Sequence, residues 1–257
     1  MKMDKFFPHM YDSPETGQVV GGITYGVVPF LVLPFTLTLL TIGVKDAAPY
    51  VWLEYLYEIV NFTALFAIFR GYLRDSWLNF SINVKGVLGT CITAAGMILC
   101  LYAVYMHAFF DELFPKASTV FAGALPMVGI ELMMVPGSLL LNGGIPAAVI
   151  LIVLGPVTTA CLFYATAFAP LCVAGKRFWA YVSLAVLLAV PRIITYFTVW
   201  GGHKEVSLYL AQLPIHLIAC WTYQKTDTIW APIFTHAIVN LAVCAMLGLL
   251  YLGGLIR

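Results

Sequence analysis

The sequence predicts an all-α fold, a polytopic transmembrane helical bundle of about eight spans. Of the 257 residues, 62% are hydrophobic and only 10% are charged, whereas soluble domains carry close to a quarter charged residues. Mean hydropathy is +0.95. Apolar stretches of roughly 20 residues, the length that crosses a hydrocarbon core, recur along the whole chain, with only short polar punctuation between them. That pattern describes repeated spans rather than one anchor on a soluble body.

The spans are expected near 19–44, 48–69, 86–110, 119–141, 145–170, 179–200, 206–224 and 228–254. The first 18 residues contain Pro8, Asp12, Pro14 and Glu15. A signal peptide would place its apolar core directly after the basic start, so the first helix is expected to be retained. The chain thus divides into an N-terminal segment 1–18, N-terminal membrane helices 19–144 and core helices 145–257.

Lys and Arg counts bear on orientation. With alternating loops and a cytoplasmic N-terminus, Lys2, Lys5, Arg70, Arg74, Lys85, Lys204 and Arg257 lie inside, and Lys45, Lys116, Lys176, Arg177 and Lys225 lie outside. This bias of seven to five and an even span count place both termini in the cytoplasm of a multi-pass cell-membrane protein. The formal net charge of +1 leaves no basic stripe to neutralise phosphates, which argues against a nucleic-acid partner. Membrane lipid, with a membrane-protein or peptide partner, is the class of contact to expect. The six cysteines fall in or beside apolar runs with no C-x-x-C spacing, and read as small core residues.

Taken in order, the first span carries Gly17, Gly21, Gly22 and Gly26, two G-x-x-x-G spacings. They read either as a close helix–helix contact, a dimer seam included, or as a glycine-rich helix start. Pro29 and Pro34 should bend this helix. Glu54 and Glu58 stand at i and i+4 in the second span, a spacing suited to proton transfer or cation binding, with Glu54 near enough to the Lys45-Asp46 loop to face headgroups instead. Glu131 in the fourth lies near mid-depth and needs a partner or a proton. The stretch 70–85, RGYLRDSWLNFSINVK, is expected to be a loop whose interleaved aromatics and cations form an interfacial collar.

The stretch that most resembles a prepared site is TDTIWAPIFTHAIVN, 226–240. His236 and Asn240, four residues apart, share one helix face inside an apolar run. Polar side chains at that depth are costly without partners.

From about Ala147 to Met246 the sequence resembles the family of CAAX proteases and bacteriocin-processing enzymes, polytopic membrane proteins also called the ABI family. The resemblance rests on Tyr223, Lys225, Thr226, Asp227, Trp230, Pro232, His236 and Asn240. Members there read tyrosine, threonine-glycine, a tryptophan-containing turn and H-x-x-x-N. The family's first motif is a proline-led E-E-x-x-F-R-G, whose glutamate is understood to activate water. Its place here is GPVTTACLFYA: Gly155, Pro156 and Val157 lead in and Phe163 fits. Thr159 and Ala160 stand for the two glutamates, and Tyr164 for the arginine. The second motif, F-x-x-x-H, falls on Leu188 and Arg192, with His203 as an alternative nearer the last histidine.

On this resemblance the chemistry is depleted. Hydrolysis needs a base near neutral pKa and donors for an oxyanion, and neither Thr nor Ala is a base. A guanidinium is permanently charged. The reading is a pseudoprotease with a polar cavity bounded by Thr159, Tyr164, Arg192, His236 and Asn240, binding a peptide, a lipid-linked ligand or a membrane partner. The alternative is an active, divergent endopeptidase in which Glu131 or Glu58 supplies the carboxylate. An ion pair between Arg192 and Glu131 is expected in the first case. His216 reads either as a substitute ligand beside His236 or as a histidine bonded to a neighbouring carbonyl. No cofactor is implied, and a His-only metal site would need a third ligand that cannot be placed.

Overall fold

The computed structural model describes residues 14–28, 48–113, 149–198 and 203–252; within these ranges, the side chains of 48–55, 57–58, 102–113, 191–192 and 246–252 are among those not described. All elements in the described residues are helical. They are α1 (Thr16–Gly22), continued as a π-helical turn (Ile23–Val27); α2 (Ala48–Ile82); and α3 (Val84–Leu113). A composite rod follows, made of a π turn (Ile150–Leu154), α4 (Gly155–Thr159), a π-helix (Ala160–Phe168) and α5 (Ala169–Val173). Then come α6 (Arg177–Thr198), α7 (His203–Thr226) and α8 (Trp230–Leu252). The expected span at 119–141 and the 29–44 part of the one at 19–44, together with Glu131, Pro29 and Pro34, lie outside the described residues.

Among the described residues, two helical stretches are long and apolar enough to cross a membrane, Val84–Leu101 and Ile152–Val173. Eighteen residues of α-helix rise about 27 Å, close to the hydrocarbon thickness. The second is the centre of the bundle, with 72% of its window buried in the protein, against 28% for the first. Large apolar side chains such as Ile92 (63% exposed) and Leu241 (54%) point outward. The rod's own residues, Ala160 to Ala165 and Phe168, are buried among Leu65, Phe69, Leu184, Leu188 and Tyr223. Lipid and core are equally apolar, so burial of this helix by others rests on close van der Waals packing and interhelical hydrogen bonds.

The predicted loop at 70–85 is instead helix as far as Ile82. At 35 residues, α2 would be about 52 Å long. The stretch contains no proline, and Phe69, Tyr72, Leu73, Ser76 and Phe80 recur at helical spacing and are all buried. They form a core face, while Arg74, Asp75 and Trp77 look outward. The expected collar is therefore half a packing surface. Asn83 ends α2 and opens α3: its side-chain oxygen accepts the Gly86 N–H at 3.2 Å and its carbonyl the Val87 N–H at 3.0 Å, an N-cap arrangement.

Gly22 and Gly26 bring α1 against two neighbours within the same chain. A Cβ on Gly22 would stand 2.7 Å from Thr166 Oγ1 and 2.8 Å from Phe69. One on Gly26 would stand 2.9 Å from Leu65 and 3.1 Å from Leu162. The second G-x-x-x-G is thus an intramolecular contact between α1, α2 and the rod. Gly17, by contrast, has nothing within 4 Å of its Cβ position.

Three turns share one end of the bundle. Thr228 and Trp230, just after α7, bond α2 at Ser76 and Leu73. Tyr223 meets Tyr72 at 3.2 Å. Gln224 bonds Tyr181 of α6 at 2.9 Å and reaches Cys172 at the end of the rod at 3.6 Å. The 174–176 turn closes with Gly175 at φ +74°, the Lys176 N–H bonding the Leu171 carbonyl at 2.8 Å and the Gly175 N–H that of Cys172 at 3.0 Å, a glycine-capped helix end. Arg70, Arg74, Lys85, Lys176, Arg177 and Lys225 consequently flank the same end. The alternating-loop count, which set Lys176, Arg177 and Lys225 opposite Arg70, Arg74 and Lys85, is corrected by this arrangement.

Candidate functional site

The rod changes register where the site is built. Pro156 and Pro170 each lack an N–H and interrupt the α-helical ladder, and between them Ala160–Phe168 runs as a π-helix. The Thr166 hydroxyl donates to the Cys161 carbonyl, five residues back, at 2.6 Å. π-helical stretches are rare and recur at functional sites. This one carries Tyr164 at its middle, fully buried.

The Tyr164 hydroxyl lies 2.8 Å from Nδ1 of His216 on α7 and 2.8 Å from Nε2 of His236 on α8. A phenol has one proton to donate and lone pairs to accept with. It can donate to one imidazole and accept an N–H from the other, the roles being set by the ring tautomers. The imidazole centroids are 5.5 Å apart, and Phe163 lies against His216 at 5.0 Å. The phenol thus occupies the middle of the place where the sequence suggests a polar cavity. His216 meets a hydroxyl, where a backbone carbonyl was the expected alternative.

Thr159, the residue immediately before the π-helix, and Asn240, one turn beyond His236, are buried at 3% and 2% exposure. Leu188 is buried on α6. Arg192 belongs to the same helix, but its side chain is outside the described residues, as is that of Glu58 on α2; the Arg192–Glu131 pair falls there too. His203 starts α7. Among the described residues there is no group of three or more His, Cys, Asp or Glu able to hold a metal ion.

The start of α8 is positioned by residues that the sequence reading missed. Ser76 Oγ accepts the Ile229 N–H at 2.9 Å and lies 2.9 Å from Thr228 Oγ1. Thr228 donates to the Ser76 carbonyl at 3.0 Å and accepts the Trp230 N–H at 3.3 Å. One choice of hydroxyl orientations satisfies all four: Thr228 donates to the carbonyl, and Ser76 donates to Thr228. Two of the N-terminal N–H groups that a helix start leaves open are thereby met. The Trp230 indole donates to the Leu73 carbonyl at 2.9 Å and its ring meets Trp77 edge-on at 4.9 Å. Trp230 thus fixes the axial position of α8, and with it His236 less than two turns on. The helical spacing of Phe69, Tyr72, Leu73, Ser76 and Phe80 was the signal that could have found this anchor.

Asp227 joins α7 to this start with φ 51°, its N–H bonding the Tyr223 carbonyl at 2.8 Å. It occupies the left-handed position where members of the resembled family have glycine. Burial raises its carboxyl above the usual 3.8, with the Arg177 charge acting in the opposite direction.

Residues 141–242 match the family model described as type II CAAX prenyl endopeptidase, Rce1-like. The match covers less than half of the chain, yet includes Thr159, Tyr164, Arg192, His216, His236 and Asn240. No curated protein and no solved structure matches the chain. Over its C-terminal part, then, this helical chain resembles CAAX endopeptidases of the membrane, and its apolar spans agree with that setting.

Proposed function

We propose that the chain is a pseudoprotease, which binds a peptide, a lipid-linked ligand or a membrane partner without cutting it. One observation carries the reading: the Tyr164 hydroxyl sits within hydrogen-bond distance of both His216 and His236, at the place where the motif has arginine. The nitrogen that would orient water or an oxyanion is spent on a phenol. The glutamate positions hold Thr159 and Ala160, both buried, and loss of a general base alone lowers rates by about 10²- to 10⁴-fold. Hydroxyl, amide and imidazole groups remain, which suit holding a carbonyl or phosphate oxygen.

The second reading, an active endopeptidase drawing a carboxylate from Glu131 or Glu58, is separated from the first by a cleavage assay. A reporter bearing a prenylated C-terminal peptide is co-expressed with the wild type and with Glu131→Gln, Glu58→Gln and His236→Ala. The proposal expects no cleavage by any of them, and a co-purifying ligand lost from His236→Ala. Wild-type cleavage abolished by either carboxylate change would overturn it.

The same reasoning orients the chain. Among the described residues, six cations flank the end that carries the Asn83, Gly175 and Asp227 turns, against Glu15, Asp75 and Asp227, and the positive-inside tendency places that end at the cytoplasm. Gln18 bonds the Ile68 carbonyl at 3.2 Å, so α1 starts on that side. α8 leaves it, with Ala231 beside Cys91 and Val239 beside Ile98 further along α3. The far end of α8 accordingly lies on the opposite side.

A further inference from the structure

The rod and α6 leave between them an open groove of about 520 Å³, lined by Leu171, Lys176, Trp179, Val182, Ser183 and Val186. We propose that it holds one anionic glycerophospholipid, its phosphate on Lys176 and one acyl chain laid along the face of α6. The groove has the two chemistries of such a lipid in the right order.

Trp179, Val182, Ser183 and Val186 stand at i, i+3, i+4 and i+7, one stripe of α6. The stripe descends from the cation-rich end into the depth of the bundle. Its outer members are largely uncovered, Trp179 at 59% and Val186 at 55% exposure. Ser183 spends its hydroxyl on the Ala180 carbonyl at 2.9 Å, which leaves the wall apolar to a passing chain. The volume lies within the range of ordinary small-molecule sites.

Lys176 closes the upper end. It sits three residues beyond Val173, where the apolar span Ile152–Val173 stops, which is headgroup depth. The ion pair drawn among the described residues joins Arg74 to Asp75, and Lys176 has no part in it. Trp179 beside it, with Phe178 edge-on at 5.7 Å, is the kind of aromatic that settles at the membrane interface. A cation at headgroup depth above an apolar stripe complements a phosphate joined to an acyl chain. The cytoplasmic leaflet is the anionic one, so the source matches the orientation proposed above. The binding itself does not depend on the pseudoprotease reading.

Native mass spectrometry of the purified full chain tests this, titrating phosphatidylglycerol against phosphatidylcholine of the same acyl composition. The wild type is expected to retain one phosphatidylglycerol in preference to phosphatidylcholine. Lys176→Gln should reduce that preference about fivefold, one cation near the surface contributing roughly 1 kcal/mol. Val186→Trp, which fills the groove while keeping its charge, should remove the retained lipid of either kind. A size-exclusion profile and a thermal midpoint matching the wild type show that each variant is folded, and Lys225→Gln at the same end supplies a charge-matched control. Equal retention of the two lipids by the wild type, or the same loss from Lys225→Gln as from Lys176→Gln, would mean annular lipid only and would overturn the site.

Discussion

The Tyr164 hydroxyl stands 2.8 Å from Nε2 of His236, so a residue at the motif's arginine place is bonded to the histidine of H-x-x-x-N. An arginine there would present donors only. A phenol both donates and accepts, and at equal distance it holds His216 Nδ1 as well. The substitution and the second histidine therefore belong together: Tyr164 can join two neutral imidazoles in the core, which an arginine cannot do without burying a charge.

Tyr164→Phe keeps the ring and removes the link. Both imidazole nitrogens then lose a partner in a site closed to water. Leaving buried polar groups unsatisfied costs about 1–3 kcal/mol, so a clear fall in the thermal midpoint of the detergent-solubilised protein is expected. His216→Phe, removing only one end of the chain, should cost less than Tyr164→Phe. An unchanged midpoint for Tyr164→Phe would show that the bonds contribute nothing to stability.

Gly22→Ala and Gly17→Ala make a matched pair on α1. At Gly22 the new methyl would meet Thr166 Oγ1 at 2.7 Å and Phe69 at 2.8 Å, both on packed elements. Overpacking of this kind costs about 1–3 kcal/mol. At Gly17 nothing lies within 4 Å, and replacing helical glycine by alanine gains about 0.5–1 kcal/mol. Opposite shifts in thermal midpoint are expected. A comparable loss at both positions would mean that the close approach at Gly22 is not what holds α1.

How much of this was legible beforehand varies with the physical signal. The helices at 177–198, 203–226 and 230–252 follow apolar runs ended by polar or glycine punctuation, and the sequence places them to within a few residues. His236 and Asn240 are singled out in the sequence because polar groups in apolar runs stand out. Helix α2 was misread because Arg70, Arg74 and Asp75 interrupt its hydropathy, although a helix extending past the hydrocarbon can carry charges on its outer face. The helical spacing of Tyr72, Leu73, Ser76 and Phe80 is present in the sequence, but the charges beside it drew the loop reading instead. Tyr164 was placed at the site by its motif position. Its hold on His216, 52 residues away, depends on how three helices meet and has no local trace. Charge counting failed for a similar reason, since loop alternation is a statement about topology.

Ser76→Ala tests the anchor between α2 and α8. It removes the hydroxyl that accepts the Ile229 N–H at 2.9 Å and takes one partner from Thr228. Capping losses run to about 0.5–2 kcal/mol, and the site is fully enclosed, Ser76 being 1% exposed. A loss in the upper part of that range is expected in thermal unfolding. Hydrogen exchange should also quicken at the first turn of α8 while the middle of α3 stays protected. Uniform quickening instead would point to general destabilisation, and no quickening would dismiss the anchor.

Asp227 combines a backbone and a charge argument that separate by substitution. Its φ of 51° lies where β-carbons are strained by about 1–2 kcal/mol, and only glycine, asparagine or aspartate settles readily. Asp227→Ala should therefore be less stable than Asp227→Asn at every pH, since both lack the charge and only alanine carries that strain. The carboxyl has a raised pKa in the folded state, first through burial and against the charge of Arg177. The native state therefore holds its proton more tightly than the unfolded chain, and the linkage slope is negative across the interval. Wild-type stability from this group is highest below the unfolded value near 3.8. It falls as pH rises through the folded pKa and is constant above it. Relative to the wild type, Asp227→Asn should gain stability over that window and keep the gain at neutral pH. Thermal midpoints of the three proteins across that range, at fixed ionic strength, measure it: a difference between Asp227→Asn and the wild type that does not change with pH would refute the buried-charge account, leaving the left-handed turn to explain the residue.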